Sequence, residues 1–246
     1  MTRITTVANQ KGGVGKTTTA LCLSMGLTHL NHRILAVDAD PQGNLSYSMG
    51  ANVKGVAGLY EGLKKEKVAE QLIQNTQLGD VLPSTQQLSV ADLQFREANR
   101  EYLLSTLLES IRDNYSHIII DTPPTLGILT VNALTVSQDV IIPMTANFYS
   151  LQGFSQLLDT IHRVQKYCNP NIKIAGLLIT RWGGRRTILQ RDLKDIIVTK
   201  ATELDTIVFK TVIREGIAVE ESQIKQVSLF DYAKRSKPAK LAFDSD

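Results

Sequence analysis

Apolar residues along this chain fall into short unbroken runs separated by longer stretches with helical spacing. Residues 4–8, 34–38, 78–82, 117–121, 139–143, 172–180 and 206–210 are rich in Ile, Val and Leu and lack polar alternation. Runs of that kind suit strands buried on both faces. Between them, residues 17–30 place Ala20, Leu21, Leu23, Leu27 and Leu30 at helical intervals. Residues 84–113 predict two helices broken near Asn99, the second carrying Leu103, Leu104, Leu107, Leu108 and Ile111. Residues 126–136, 151–167 and 187–200 predict three more helices, and Asn169-Pro170 stops the second of these. Residues 44–75 are punctuated by Gly50, Gly55, Gly58 and Gly62 and receive no assignment. Strand and helix alternate repeatedly, without a linker-like stretch or an internal repeat. The pattern predicts one α/β domain over residues 1–246, with a mostly parallel central sheet and helices on both faces.

In such sheets ligands sit beyond the carboxyl ends of the strands, and the polar motifs of this chain collect there. After the first apolar run comes Asn9-Gln10-Lys11-Gly12-Gly13-Val14-Gly15-Lys16-Thr17-Thr18. Strand, glycine-rich turn and helix form the context of a phosphate-binding loop. Its backbone N–H groups close around a phosphate chain, and the following helix turns its positive end toward the same anion. Lys16 supplies a charge for β- and γ-phosphates, and Thr17 a hydroxyl for Mg²⁺. The general template wants glycine at Gln10. Here there is none, and Lys11 stands beside the glycine pair instead.

Three acids end neighbouring strands. Asp121 closes Ile118-Ile119-Ile120 and fits the acid that holds Mg²⁺, although a turn or cap role suits such a residue elsewhere. Asp38 and Asp40 are two apart, so an extended backbone points both to one side. Asp38 is expected in the Mg²⁺ shell and Asp40 as the residue that orients or activates an attacking water; alternatively, either caps the next helix. Lys11 is either a solvated loop lysine or a second cation near the phosphates. On a loop wrapped around its own nucleotide, its side chain would project away, toward the nucleotide of another subunit.

Residues 11–18, Lys-Gly-Gly-Val-Gly-Lys-Thr-Thr, resemble the deviant Walker A motif of the ParA/MinD family of ATPases. Val37-Asp38-Ala39-Asp40-Pro41-Gln42-Gly43-Asn44 looks like the second motif of its ParA branch, and Ile119-Ile120-Asp121-Thr122-Pro123-Pro124 like its Walker B. The resemblance runs from about Arg3 to the region of Lys240. It implies ATP and Mg²⁺ as cofactors and an ATP-dependent sandwich homodimer, with Lys11 of each subunit reaching the phosphates held by the other. Residues Lys11, Gly12, Gly13, Val14, Gly15, Lys16, Thr17 and Thr18 would then hold nucleotide, with Thr18 at the α-phosphate and Asp40 placing the hydrolytic water. Hydrolysis would be slow and partner-stimulated. The dimer would bind DNA without sequence preference and leave it on hydrolysis, segregating a plasmid or chromosome with a ParB-like centromere-binding protein. A cytoplasmic, nucleoid-associated protein is implied. A positioning ATPase that distributes a protein cargo on the nucleoid is the alternative.

Charge adds one detail. The 27 basic and 24 acidic residues nearly balance, but basic residues cluster in the last third. Arg185 and Arg186, then Arg191, Lys194 and Arg214, are candidate contacts to DNA phosphates, which would make binding sequence-independent and salt-sensitive; an ordinary solvated face is the bland alternative. Arg181, at a strand end, would stack on the adenine base. Two separated cysteines, Cys22 and Cys168, have no metal-ligand company and fit a reducing compartment. Met1-Thr2-Arg3 runs straight into the first strand, so neither a signal peptide nor a preceding helix-turn-helix is expected. No apolar run approaches the ~20 residues of a membrane span. Residues 233–246 are interrupted by Pro238 and too poor in apolar residues for an amphipathic membrane anchor. A metabolic kinase or synthetase would need an acceptor site that no motif supplies.

Overall fold

In the computed structural model, which describes residues 2–145, 149–182 and 188–233, eight strands form a single sheet. They are β1 (Arg3–Val7), β2 (Ile34–Asp38), β3 (Gln74–Thr76), β4 (Gly79–Leu82), β5 (His117–Asp121), β6 (Asp139–Thr145), β7 (Lys173–Thr180) and β8 (Val208–Val212). Their spatial order is β3-β4-β2-β5-β1-β6-β7-β8. Every pairing is parallel except the β3–β4 hairpin. The α-helices are α1 (Lys16–His29), α2 (Asn44–Ser48), α3 (Leu59–Leu63), α4 (Ala91–Gln94), α5 (Leu103–Leu108), α6 (Ile128–Val136), α7 (Tyr149–Tyr167), α8 (Ile188–Glu203), α9 (Ile217–Ile224) and α10 (Leu229–Tyr232).

The apolar runs become central strands because both of their faces are covered. Leu35, Val37, Ile118 and Ile120 pack against Leu59 and Leu63 of α3, Leu104 and Leu108 of α5, and Ile128 and Ala133 of α6. The alternate residues Ile34, Ala36 and Ile119 pack against Ala20, Leu21 and Met25 of α1 and against Leu229 and Phe230 of α10. A third cluster joins Val140, Ile142, Met144, Leu177 and Ile179 to Phe154, Leu157 and Ile161 of α7 and Ile197 of α8. Each of the Val, Leu, Ile, Met and Phe side chains among these, fully buried, stabilises the fold by about 1.5–3 kcal/mol before the entropy of ordering is set against it.

Parallel register then decides where the loops leave. Val7 of β1 and Asp38 of β2 both stand level with Asp121 of β5. Three strands therefore end at one height, and the glycine-rich loop and the acidic segment emerge side by side.

Three expectations need correction. Residues 74–82 form a hairpin, with Gly79 at φ 118° closing the turn, where only the second strand was expected. The two helices expected over 84–113 are short pieces: α4, α5 and three 3-10 turns, with Asn99 at φ 65° between them. The interruption is stable because buried Asn132 of α6 supplies backbone partners. Its Oδ1 accepts from Leu104 N at 2.9 Å and its Nδ2 donates to Arg100 O at 2.8 Å. Finally, α9 and α10 follow β8, in a stretch to which the apolar pattern gave no assignment. Among the described residues no helix is long and apolar enough to cross a membrane.

Gly58 couples this frame to the site. A Cβ there would lie 2.5 Å from the Pro83 carbonyl oxygen and 2.8 Å from Thr85 Cγ2. A backbone oxygen cannot rotate aside, so Gly58→Ala should destabilise the fold by about 1–3 kcal/mol. The measurement is a lowered urea midpoint at unchanged m-value; an unshifted midpoint would refute the close approach.

Candidate functional site

Helix α1 begins at Lys16 with Gly15 as its N-cap at φ 83°; no side chain caps it, and no acid lies in its first turn. Its first N–H groups and the positive end of its dipole are thus left without an intrahelical partner. Gly13, at φ 71°, and Gly15 adopt a left-handed backbone that other residues rarely take. The loop is pinned from several sides. Buried Asn9 donates from Nδ2 to Pro143 O at 2.7 Å and accepts at Oδ1 from Lys11 N at 2.9 Å. Thr180 Oγ1 donates to Val14 O at 2.7 Å, and Arg181 Nη1 to Gly13 O at 3.1 Å. Lys16 is buried and its Nζ donates back to Lys11 O at 3.3 Å. Burial lowers the Lys16 pKa, while Asp121 and Asp40 pull it upward.

This loop forms one wall of a cavity of about 400 Å³. Gly12, Gly13, Gly15, Lys16, Thr17 and Thr18 line it, facing Asp40, Gln42, Asn44, Pro124 and Arg181. The far wall, Ile213–Gly216 with Val219, Glu220 and Gln223, comes from α9 and the segment before it. Sequence reasoning missed that wall, apart from Arg214, because it carries no phosphate-binding motif. Gln223 Nε2 reaches Thr18 Oγ1 at 3.4 Å, so α9 touches the start of α1 directly.

The three acids differ in surroundings. Asp121 is fully buried and forms no wall of the cavity; among the described residues neither of its oxygens meets a donor in full hydrogen-bond geometry, although the Thr17 hydroxyl is near enough to favour its charged form. Burial drives its pKa well above the usual carboxylate range and Asp38 adds to this; Thr17 and Lys16 act against them. Asp38 is equally buried but well supplied with donors. Its Oδ2 accepts from Ser46 N and Ser46 Oγ, each at 2.7 Å, and its Oδ1 from Asp40 N at 3.2 Å. Burial still pushes its pKa up to about 6, against those bonds. These bonds tie Asp38 to the start of α2; its expected place in the Mg²⁺ shell is compatible with them, because an ionised carboxylate offers about four acceptor sites. Asp40 lines the cavity, its Oδ1 accepting from Gln42 N at 3.0 Å.

Other expected residues separate. Arg181, at φ 51°, holds the loop carbonyl and pairs with Glu215 at 3.8 Å on the cavity rim. The side chain of Lys11 is not part of the cavity wall, and Val14 is buried beneath the loop. Arg214 is exposed and lines the cavity. Lys194 is exposed on α8. Arg185, Arg186 and the tail from 234 onward lie outside the described residues, as does the side chain of Arg191. Ser46 and Ser84 were not singled out, and Asn9 and Thr180 were noted only for their positions, at the start of the loop and at a strand end. Asn9 had a signal in its place at the mouth of the loop, and Ser84 in following the strand-ending Pro83.

The arrangement fits a polyphosphate with a divalent cation. Unpartnered amides and a buried ammonium offer the anion a cradle. The orphaned oxygens of Asp121 beside Thr17 meet the need of a hard cation for oxygen ligands. A glycine-rich loop opening a helix at the carboxyl end of a parallel strand, with its lysine, threonine and strand-end acid, defines a P-loop nucleoside-triphosphatase.

Comparison with known proteins narrows the class. Residues 2–174 match a family model described as an AAA domain. The chain is 37% identical to the sporulation initiation inhibitor protein Soj of Bacillus subtilis, over 99% of this chain and 96% of Soj. A crystal structure described as cobyrinic acid a,c-diamide synthase from Mycobacterium smegmatis, with bound ATP analog and magnesium, superposes with a TM-score of 0.82 at 34% identity. It covers 97% of this chain and 98% of that one. A putative plasmid partition protein from Borrelia burgdorferi bound to AMPPNP gives a TM-score of 0.77 at 26% identity, over 94% and 96% of the two chains. The chain belongs to the ParA family of P-loop ATPases.

Asn9 tests the loop's construction. Asn9→Ala would leave Lys11 N–H and Pro143 C=O without their partner. The expected loss is about 1–3 kcal/mol of stability, read from urea denaturation. A wild-type midpoint would mean that the bonds of Thr180, Arg181 and Lys16 suffice to hold the loop.

Proposed function

We propose that the protein is a DNA-partitioning ATPase whose ATP-bound form is a homodimer. One observation carries the reading: Lys16, Thr17 and Asp40 face one cavity whose floor is an uncapped helix N-terminus. Lys16 and the loop amides hold the β- and γ-phosphates, Thr18 the α-phosphate, and Arg181 the edge of the base site. Mg²⁺ would be held by the Thr17 hydroxyl and, directly or through water, by Asp38 and Asp121. When bound, the ion neutralises charge on the phosphates. Asp38 fixes the segment that carries Asp40, and Asp40 orients the water that attacks the terminal phosphate.

The remaining assignments follow from the family resemblance. Lys11 reaches the nucleotide of the partner subunit and makes ATP the link of the dimer. Arg185, Arg186, Arg191, Lys194 and Arg214 contribute to a basic surface for DNA phosphates, Arg214 from the cavity rim. Turnover is slow until a ParB-like partner accelerates it, and the ATP-bound form resides on the nucleoid in the cytoplasm. A protein cargo in place of DNA would use the same cycle.

A second reading has its own support, because the synthase description belongs to a structure 34% identical to this chain. In that reading ATP activates a carboxylic acid for amide formation. Co-sedimentation with duplex DNA in ATP, ADP and no nucleotide, across a salt series, separates the two. Retention in ATP that falls with salt, for any sequence, supports partitioning. Absence of retention together with ATP turnover that needs a carboxylate acceptor supports the synthase. Two variants test the roles. Lys16→Ala should lose measurable ATP binding, and tight binding would refute the phosphate role. Asp40→Ala should bind ATP normally, turn over at least ~100-fold more slowly, and accumulate on DNA as a dimer. A monomer with normal turnover would overturn the assignment.

A further inference from the structure

Asp40 is held by an unusual amount of hydrogen bonding for a loop residue, and the bonds form a closed circuit. Its own N–H donates to Asp38 Oδ1 at 3.2 Å. Asp38 Oδ2 accepts from the Ser46 hydroxyl at 2.7 Å. The Ser46 oxygen in turn accepts from Ser84 N at 2.9 Å. The Ser84 hydroxyl closes the ring by donating to the Asp40 carbonyl oxygen at 2.6 Å. Ser46 and Ser84 are both buried. The circuit joins three separate segments: the end of β2, the first turn of α2, and the residue pair Pro83-Ser84 beyond β4.

The direction of each bond is fixed by chemistry. Asp38 only accepts when ionised, so the Ser46 proton must point at it. That leaves the Ser46 lone pairs for the Ser84 amide. The single proton of Ser84 is then directed at the Asp40 carbonyl, which also accepts from Gly43 N at 2.9 Å. With Pro41 fixing φ on the next residue, the Asp40 peptide plane has little freedom left. Its carboxylate, whose Oδ1 accepts from Gln42 N, projects into the cavity from a backbone clamped on both sides.

We infer that Ser84 is a positioning residue for the hydrolytic step: its hydroxyl locks the Asp40 carbonyl and thereby aims the Asp40 carboxylate at the attacking water. The inference rests on reading Asp40 as the residue that orients that water. Ser84 does not line the nucleotide cavity, so its loss should act on the rate of the chemical step and not on ATP affinity.

The test compares Ser84→Ala, Asp40→Ala and the double variant in the full chain. Single-turnover ATP hydrolysis is measured with saturating duplex DNA, and ATP affinity separately with a fluorescent ATP analogue. Ser84→Ala should slow turnover roughly tenfold with nucleotide affinity within about twofold of wild type. In the Asp40→Ala background the same change should cost nothing further, because nothing remains to aim. A purely structural serine would instead weaken ATP binding and stability together and leave the rate of the folded fraction unchanged. If Asp40→Ala hydrolyses ATP at the wild-type rate, the reading of Asp40 fails and the role of Ser84 with it. If Asp40→Ala is inactive while Ser84→Ala runs at full rate, only the role of Ser84 fails. Should Ser84→Ala not fold, Ser84→Cys replaces the hydroxyl with a slightly larger and weaker donor. Slowed turnover at unchanged affinity then supports the inference, and an unchanged rate overturns it.

Discussion

The parallel register of β1, β2 and β5 is the constraint on which the site depends. Val7, Asp38 and Asp121 stand at one height, so the glycine-rich loop, the Asp38–Asp40 segment and the strand-end acid leave the sheet together. Burial then acts on the charges gathered there. It lowers the pKa of Lys16 and raises those of Asp38 and Asp121. Each group is held away from its ordinary proton affinity by the same desolvation, and each is partly restored by opposite charge or by donors. A site of this kind is poised for ligands that bring compensating charge, such as a polyphosphate with a divalent cation.

The three acids show how neighbouring carboxylates acquire different roles. Asp38 accepts three hydrogen bonds, from Ser46 N, Ser46 Oγ and Asp40 N. Asp121, among the described residues, has no donor in full hydrogen-bond geometry and only the nearby Thr17 hydroxyl and Lys16 offset the burial of its oxygens. Asp40 faces the cavity, held through its backbone and one carboxylate oxygen. Spacing along the chain pointed Asp38 and Asp40 to the same side, and their expected roles differed only by assignment. What separates them is Ser46, eight residues after Asp38, and Ser84 from another strand end.

The far wall follows a similar logic. Ile213 to Gln223 close the cavity opposite the loop, and Gln223 touches Thr18. No apolar period announced α9, whose Ile217 and Ile224 are exposed. Its position is set by contact with α2 and the start of α1, both of which belong to the nucleotide side of the molecule. The basic residues expected to meet DNA divide in the same way: Arg214 stands at the cavity rim, while Lys194 lies on the outer surface of α8.

Much was legible in the chain itself. Unbroken β-branched runs gave the strands, because a strand covered on both faces has no reason to alternate. Gly13, Gly15, Lys16 and Thr17 gave the phosphate loop, because a left-handed turn, a helix N-terminus and a cation are local requirements written at fixed spacing. Residues 84–113 break near Asn99, as their pattern predicted, but into shorter pieces than expected; Asn132, distant in sequence, supplies the backbone partners around that break. The β3–β4 hairpin, the Asp38–Ser46–Ser84–Asp40 circuit and the α9 wall likewise consist of pairings between remote segments. Local periodicity and motif spacing are determined by neighbouring residues, and the sequence alone sufficed for them. Which buried polar group finds which partner depends on the packed arrangement of the sheet, and only the tertiary structure decided it.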